Sequence, residues 1–335
     1  MEKRLNISEI ASLAGVSTAT VSRVLNDYPY VKESTRERVK KVIQETNYRV
    51  NAIARKLRRK RTHTIGVIVS NVLSPFYSVI AKSVEDVAIK NNFSTVLCNG
   101  GDKPEKEAKY LEVLHENRVD GIIISPTGKN KDYLNFLLAS GIPIVFIDRP
   151  TEGVDCDIVM VNNMDVTFNA LDFAIKKGYK KIGCIAGPQD RYTGIERFKG
   201  YKKALENNGI AYDESLVRFG DFTYESGYSL ARELLDSEKP DLLFVANSDM
   251  ALGAYKYISE KGYKIPHELG FLMFDDPQWA SLVTPRVTVI SQPVYMLGST
   301  AADILFKRIM EGGQFMDQSP LKIILEAKFV VRESI

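Results

Sequence analysis

Short apolar runs alternate with amphipathic stretches over most of the chain, from Thr62 onward. Each run has the length of a buried strand, and each amphipathic stretch repeats its apolar residues at helical spacing. Repeated strand–helix units of this kind predict parallel sheets that are covered on both faces. The predicted strands are Ile65–Ser70, Ser94–Cys98, Gly121–Ser125, Ile144–Asp148, Ile158–Val161, Lys181–Ala186, Leu216–Phe219, Leu242–Ala246, Gly270–Phe274 and Val287–Ser291. The predicted helices between them include Phe76–Lys90, Pro104–Glu116, Met164–Lys177, Gly194–Asn207, Glu225–Asp236 and Ala251–Lys261.

This alternating region, residues 62–335, is too long for one compact doubly wound sheet of ordinary size. We therefore predict two lobes with a cleft between them. Ligands of such sheets bind beyond the carboxyl ends of the strands. Polar residues at those strand ends are the candidates for a binding site.

Residues 1–61 have a different pattern, in which short apolar stripes recur at helical spacing. Asn6 and Glu9 have the spacing of a capping box, and the pattern predicts a first helix from about Ser8 to Leu13. Ser34 and Glu37 have the same spacing and predict that a further helix opens at Ser34. The predicted inward-facing residues are Ile7, Ile10, Ala11, Ala14, Val21, Val24, Leu25, Val39, Val42 and Ile43.

Between those two helices the sequence predicts a second helix after a tight turn, since Gly15 permits the turn and Ser17 can cap the helix. Two short helices joined in this way form a helix-turn-helix, whose second helix enters the major groove. There the Arg23 guanidinium can donate two hydrogen bonds to O6 and N7 of guanine, and Thr18 and Ala19 can contact phosphate or a thymine methyl. A plain helical hairpin inside a core has the same pattern and is the alternative. The predicted exposed face of the second helix comprises Thr18, Ala19, Ser22 and Arg23.

The formal net charge of +3 hides an asymmetry. Residues 1–61 hold 15 Lys and Arg against 6 Asp and Glu, a net charge of +9, which leaves −6 for the rest of the chain. A small basic unit on a mildly acidic body is what a phosphate backbone attracts. For the basic run at 52–61, a solvated linker is the alternative.

Composition excludes a fibrous, a collagenous and a wholly disordered protein. At 44% hydrophobic and 26% charged residues, the chain has the make-up of a globular protein. No apolar run approaches the ~18 residues of a membrane span, and no apolar segment precedes a cleavage site, so we expect a cytoplasmic protein without membrane contact. The 3 cysteines and 3 histidines are scattered, so we expect no metal, cofactor or disulfide framework. An enzyme is not predicted, because no glycine-rich phosphate loop and no G-x-S-x-G elbow occurs.

The basic unit contains three specific motifs: AGVSTATVSRVLN at 14–26, the pair Asn47 and Tyr48, and NAIARKL at 51–57. In combination they resemble the headpiece and hinge of the LacI/GalR family of bacterial transcription regulators. The resemblance implies that the second helix reads bases and that the hinge folds on DNA. Leu57 matches the family's lever residue, which wedges into the minor groove; packing within its own domain is the alternative. The implied DNA-binding residues are Thr18, Ala19, Ser22, Arg23, Asn51, Arg55, Leu57 and Arg58.

Further motifs lie in the rest of the chain, at SPFYSVIAKSVED (74–86), FIDRP (146–150), ERFKGYKKAL (196–205), VANSDMALGA (245–254) and MFDD (273–276). They resemble the same family's effector domain, which is similar to type I periplasmic sugar-binding proteins. The resemblance implies an all-α headpiece at 1–50, a hinge and linker at 51–61, and a two-lobed effector-binding and dimerisation domain at 62–335. It assigns 62–161 and 293–322 to the first lobe and 162–291 and 323–335 to the second. The implied crossings between the lobes fall near 161–163, 291–293 and 320–323.

The resemblance also carries an effector site to the predicted cleft. Chemically, the Arg197 guanidinium donates as a planar fork and Asp148 and Asp275 accept, so together they can hold vicinal hydroxyls. Aromatic rings there would cover the apolar face of a sugar. Alternatively, Asp275 could cap a helix, Phe76 could belong to a core, and Arg197 could be a solvated helix charge. The implied effector-binding residues are Phe76, Asp148, Arg197, Phe222, Asn247, Asp275 and Gln292.

Two further arginines, Arg149 and Arg191, and the single tryptophan, Trp279, fall beside this predicted cleft. Extra guanidinium groups would favour an acidic effector, such as a sugar acid or sugar phosphate. Either arginine could instead point to solvent, so a neutral carbohydrate-derived effector stays open.

The expected function is that of a sequence-specific DNA-binding transcriptional regulator, a repressor by the family's usual mode, controlled by a small sugar-like effector. We expect a homodimer rather than a tetramer, since no heptad tail that could join two dimers follows the last strand. A symmetric dimer would bind a pseudo-palindromic double-stranded operator. The alternative is a sugar-binding protein of transport type, which would need a signal peptide and no basic headpiece.

Overall fold

The structure is a computed structural model that describes residues 5–25, 28–46, 61–312 and 318–335. The chain divides into two compact units, Met1–Thr62 and His63–Ile335. The first contains the basic helical region, and the second contains the region of alternating strands and helices.

In the described part of the first unit, three helices pack around one small core. The Asn6 side chain accepts hydrogen bonds from the amides of Ser8 (2.9 Å) and Glu9 (3.1 Å), and Glu9 accepts from the Asn6 amide, so the first predicted capping box is confirmed. The Ser17 hydroxyl accepts from the Thr20 amide at 3.2 Å, as a cap of the second helix should. The helices are α1 (Ile7–Leu13), α2 (Thr18–Leu25) and α3 (Glu33–Glu45). Their buried side chains are Ile10, Ala11, Ala14, Val21, Val24 and Val39.

The second predicted capping box is wrong. Helix α3 begins at Glu33 with Lys32 at its N-cap, which makes no side-chain capping bond. Because Ser34 already lies in the first turn, it is past the position from which a hydroxyl accepts from the third amide.

The second unit contains two six-stranded sheets. The first has the order β11-β5-β4-β3-β1-β2 and the second the order β12-β10-β9-β8-β6-β7, and only β12 is antiparallel to its neighbour among the described strands. Each predicted strand lies within one residue of an observed one at either end, and the predicted fold class is confirmed. The strands are β1 (Thr64–Val69), β2 (Ser94–Asn99), β3 (Gly121–Ile124), β4 (Ile144–Ile147), β5 (Asp157–Val161), β6 (Ile182–Ala186), β7 (Val217–Phe219), β8 (Leu242–Val245), β9 (Gly270–Phe274), β10 (Thr288–Ser291), β11 (Lys322–Leu325) and β12 (Lys328–Val330).

Helices cover both faces of each sheet, which leaves the central strands buried along their whole length. None of the described helices combines the length and the apolar character needed to cross a lipid bilayer. The helices of this unit are α4 (Pro75–Lys90), α5 (Pro104–Glu116), α6 (Lys131–Ala139), α7 (Asn163–Lys177), α8 (Tyr192–Asn207), α9 (Tyr224–Ser237), α10 (Ser248–Lys261) and α11 (Val294–Glu311).

The chain passes between the two lobes at Asn162, at Gln292–Pro293 and at Glu326–Ala327. The third crossing corrects the sequence prediction, which placed it near 320–323 and assigned 323–335 to the second lobe. Strand β11 pairs in parallel with β5 and therefore extends the first lobe's sheet as far as Leu325. Its side chains are alternately exposed and half-buried, so it has no continuous apolar run that would have identified it.

Candidate effector cleft and DNA-binding surface

A cavity of about 320 Å³ lies where the carboxyl ends of the strands of both lobes face each other. Residues that follow β1, β2, β4, β7, β8, β9 and β10 line it, together with the first turns of α4 and α8. Strand ends of parallel sheets are where such folds bind ligands. The structure brings all of the predicted effector residues to this one cavity, namely Phe76, Asp148, Arg197, Phe222, Asn247, Asp275 and Gln292.

Asp148 follows β4 directly and is 5% exposed. It has a φ of 73°, a value that few residues other than glycine adopt and that turns the chain sharply at the strand end. Tyr77 donates its hydroxyl to Asp148 Oδ2 at 3.3 Å. Burial raises the pKa of Asp148, although the charges of Arg149 and Arg197 oppose that rise. The carboxylate is thus a desolvated acceptor on the wall of the cavity.

Arg149 is buried in the first lobe, where it also lines the cavity. Its guanidinium forms an ion pair with Asp102 and donates to the Ser70 hydroxyl (2.6 Å) and the Pro126 carbonyl (2.7 Å). Only 3% of Arg149 is exposed. Its charge is therefore already compensated within the protein, which removes the main argument for an acidic effector.

Arg197, on α8, is buried in the second lobe rather than solvated. Its Nε donates to Asn163 Oδ1 at 2.8 Å and its Nη1 to the Ala246 carbonyl at 2.7 Å. The guanidinium carbon lies 3.5 Å from the centre of the Phe274 ring. Burial lowers the pKa of Arg197, and the carboxylates of Asp275 and Asp148 oppose that effect. The contacts fix a positive charge at the cavity wall in one orientation.

Asp275 follows β9 and receives two hydrogen bonds. The Gln292 amide donates to its Oδ1 at 2.6 Å, and the backbone amide of Ser248 donates to its Oδ2 at 3.1 Å. The short 3₁₀ helix that follows, at 278–281, has Pro277 at its N-cap, so Asp275 does not cap it. Asn247 is the N-cap of α10 and accepts from the Met250 amide at 3.0 Å, while Asp275 accepts from the amide of that helix's first residue, Ser248.

Two aromatic rings lie at the cavity. Phe76 contacts Tyr77 edge-on, with ring centroids 5.0 Å apart, and also packs against the first lobe's core. Phe222 has a φ of 67°, and its ring lies so close to Gly187 that a Cβ there would be 2.3 Å from it. Only glycine at position 187 leaves room for this orientation of Phe222.

Arg191 and Trp279 are not among the residues that line the cavity. Arg191 donates from the second lobe to backbone carbonyls of the first, those of Thr127 and Asp102, both at 3.2 Å. Trp279 packs against Tyr255, with ring centroids 5.5 Å apart, at the edge of the second lobe's core. Arg191 is therefore not placed to select the effector's charge in the way the sequence suggested.

The structure identifies further residues in and around the cavity that the sequence analysis did not predict. Tyr77 supports Asp148, Asn163 orients Arg197, and Asp102 neutralises Arg149. Asp249 also lines the cavity, at the start of α10. Asp102 and Asp249 are polar residues shortly after strands, a signal that was visible in the sequence; the roles of Tyr77 and Asn163 depend on contacts between distant segments.

On the first unit, Thr18, Ala19 and Arg23 of α2 are exposed and Ser22 is half-buried. The Arg23 guanidinium carbon lies 5.9 Å from the centre of the Tyr28 ring. The predicted hinge residues Asn51, Arg55, Leu57 and Arg58 lie outside the described residues. Helix α2 therefore offers a surface of small side chains with one guanidinium, as a major-groove helix requires.

No group of histidine, cysteine and acidic side chains in the described ranges is arranged to hold a metal ion. The cysteines Cys98, Cys156 and Cys184 are free thiols, and burial raises the pKa of each.

Comparison with known proteins identifies the family. A family model described as bacterial regulatory proteins, lacI family, matches residues 6–51. A second, described as periplasmic binding proteins and sugar binding domain of LacI family, matches residues 62–332. The chain therefore belongs to the LacI family, and it is a DNA-binding transcriptional regulator of the kind controlled by small-molecule effectors.

Individual relatives agree over nearly the whole chain. Over 307 residues the chain is 34% identical to the HTH-type transcriptional repressor PurR of Vibrio atlanticus. The aligned region covers 91% of this chain and 92% of that repressor. It is 33% identical over 308 residues to the ribose operon repressor of Escherichia coli, covering 91% and 93%. The crystal structure of the Lac repressor dimer bound to operator and the anti-inducer ONPF matches with a TM-score of 0.86 at 28% identity, covering 99% of each chain. Because these relatives are repressors, the transport-type alternative is not favoured.

Proposed function

We propose that this protein is a cytoplasmic, homodimeric transcriptional repressor, without catalytic activity, whose operator affinity is set by a small sugar-like effector in the cleft between its lobes. The observation that carries this proposal is the convergence of donors, acceptors and aromatic rings from both lobes on one cavity of about 320 Å³. Cavities of this size with a few convergent polar groups are typical small-molecule sites.

The cleft has the chemistry to bind a polyol. Among the described residues no hydrogen bond engages Arg197 Nη2, so this nitrogen can donate to a hydroxyl while Nε and Nη1 hold the side chain in place. Asp148 of one lobe and Asp275 of the other supply acceptors, and Phe76 and Phe222 supply apolar faces. An acidic effector is not part of the proposal, because Asp102 already pairs with Arg149.

Such an effector would contact both lobes at once. Asp148 belongs to the first lobe, and Arg197 and Asp275 belong to the second. A ligand shifts an equilibrium only by its difference in affinity for the two states. Contacts to both lobes supply that difference, because they all form in only one lobe arrangement.

For DNA, we assign base reading to Thr18, Ala19 and Arg23 of α2, with Ser22 on the same DNA-binding face. The hinge roles of Asn51, Arg55, Leu57 and Arg58, including the minor-groove wedge at Leu57, remain proposals from the family resemblance. A two-fold symmetric dimer presents two such helices and therefore selects a pseudo-palindromic site.

The test combines operator selection with ligand screening. A preferred duplex is first selected from a random DNA pool with the full-length protein. Neutral and charged sugars are then screened by thermal shift, since a ligand at 100 times its Kd adds ~2.7 kcal/mol of stability. The proposal predicts that a sugar that raises Tm also changes the Kd for the selected duplex. A sugar that binds tightly but leaves that Kd unchanged contradicts it.

A further inference from the structure

The charged side chains around the cleft are unbalanced. In the described part of the chain, five aspartates and two arginines line the cavity. One aspartate, Asp102, is neutralised by Arg149. That pairing leaves Arg197 as the positive charge facing four carboxylates, so the cavity carries a net negative charge.

The carboxylates differ in what supports them. Asp275 receives hydrogen bonds from Gln292 and Ser248, and Asp148 receives one from Tyr77. Asp221 likewise accepts from the backbone and hydroxyl of Thr223, at 3.0 and 2.6 Å. Asp249 has neither a hydrogen bond nor an ion pair to any described residue, although it is only partly exposed.

A second acceptor in the cavity lacks a donor. Gln292 is 8% exposed, and its Oε1 is buried without a hydrogen-bond partner among the described residues, while its Nε2 is fixed on Asp275. Burying an acceptor without a donor costs free energy, and partly burying a carboxylate beside another carboxylate costs more. Burial and the charge of Asp275 raise the pKa of Asp249 to about 6. Among the described residues that line it, the cavity therefore has more acceptors and negative charges than donors and positive charges, and a ligand can supply what is short.

We propose that the effector is a polyhydroxylated molecule carrying one ammonium group, the chemistry of an amino sugar, and that its ammonium donates to Asp249. This inference rests on the proposed function, which places a sugar-like effector in this cleft. An anionic ligand would add negative charge beside unpaired carboxylates, and a neutral sugar would leave Asp249 uncompensated.

The test uses sets of sugars that share one ring configuration and include a neutral, an aminated and an acidic member. Glucose, glucosamine and glucuronate form one set, and the corresponding galactose and mannose compounds form two more. Binding to the full-length protein is measured by thermal shift and then by calorimetry near pH 7. We expect an aminated member to bind at least about tenfold more tightly than its neutral parent and its acid. Tighter binding of a neutral or acidic member overturns the inference but leaves the proposed function in place, and no binding by any member counts against both.

A variant then locates the ammonium. Asp249→Asn should weaken binding of the aminated sugar by ~30-fold or more, as loss of one partner of an enclosed charge pair does, and change binding of the neutral parent by less than about threefold. Asp132→Asn is the matched control, because Asp132 is an exposed aspartate in the first turn of α6, far from the cavity residues in sequence. Unchanged operator affinity shows that the variant is folded. If Asp249→Asn weakens both sugars equally, the ammonium does not bind Asp249 and the inference fails.

Discussion

Asp148 and Asp275 occupy equivalent positions in the two lobes. Each directly follows the third strand from the β11 or β12 edge of its sheet, β4 or β9. Their φ angles are 73° and 75°, and their amides donate to the neighbouring strand at Val159 and Ile290, both at 2.9 Å. The two sheets have the same strand order when equivalent strands are matched. The cleft is therefore built from a repeated turn that aims one carboxylate from each lobe at the same cavity.

Asp275→Ala should remove effector control without removing DNA binding. Loss of a half-buried carboxylate that is fixed by Gln292 and Ser248 should cost ~2–5 kcal/mol of effector binding. The measurement is effector Kd by calorimetry together with operator Kd by fluorescence anisotropy. Asp276→Ala is the control, since the adjacent Asp276 pairs with Arg332 at 2.8 Å and does not line the cavity. Equal losses in both variants would assign the effect to the turn rather than to the carboxylate.

Arg23→Ala should relax base preference at one position of each half-site. A lost guanidinium fork typically costs ~1–3 kcal/mol at the base concerned. Arg38→Ala, an exposed arginine of α3, serves as the comparison and should leave base preference unchanged. Binding to a panel of single-base operator variants distinguishes the two results. A uniform loss across the panel for Arg23→Ala would make Arg23 a phosphate contact.

The sequence predicted the strands well because they depend on local signals, whereas the set of cleft residues came from the family resemblance and only part of it has a local signal. Continuous apolar runs identify central parallel strands, and a polar residue at the end of such a run, such as Asp148 or Asp275, lies at the binding edge. Edge strands β11 and β12 lack that signal. The neutralisation of Arg149 by Asp102 was equally invisible, because the two residues are 47 positions apart and follow different strands. The sequence shows where charged residues lie along the chain. Packing decides whether such a charge is paired within the protein or free to contact a ligand.

Ile10→Ala should unfold the first unit while the second stays folded. Ile10 is fully buried in a core of few residues, and removing its side chain leaves a cavity that costs ~2–5 kcal/mol, a large share of the stability of a unit this small. Operator binding should be lost, and effector binding should persist. Leu13→Ala, in the same helix but 59% exposed, should change neither. Loss of effector binding in Ile10→Ala would show that the two units do not fold independently.

Asp249 should make stability depend on pH. Its pKa in the folded protein is about 6, above the ordinary value of 3.8, so the folded state binds a proton more readily than the unfolded state between those values. Asp249→Asn should therefore be more stable than wild type above pH 6, by on the order of 1–2 kcal/mol, and this advantage should vanish as the pH falls toward 4. Melting curves of both proteins from pH 4 to 8, without effector, measure it. Equal stability of the two proteins at every pH would place the Asp249 carboxylate in water, and an advantage that is independent of pH would not come from its ionisation.

We propose that a ligand in the cleft sets the affinity for DNA. The most direct test measures operator affinity with and without the effector, for wild type and for Arg197→Ala. Arg197 is fixed by Asn163 and the Ala246 carbonyl at the cavity wall, away from the DNA-reading unit in sequence. We predict that the effector changes the operator Kd of wild type, and that Arg197→Ala binds the operator with wild-type affinity but does not respond at the same effector concentration. An operator Kd that the effector leaves unchanged in wild type, or changes equally in both proteins, would contradict the account.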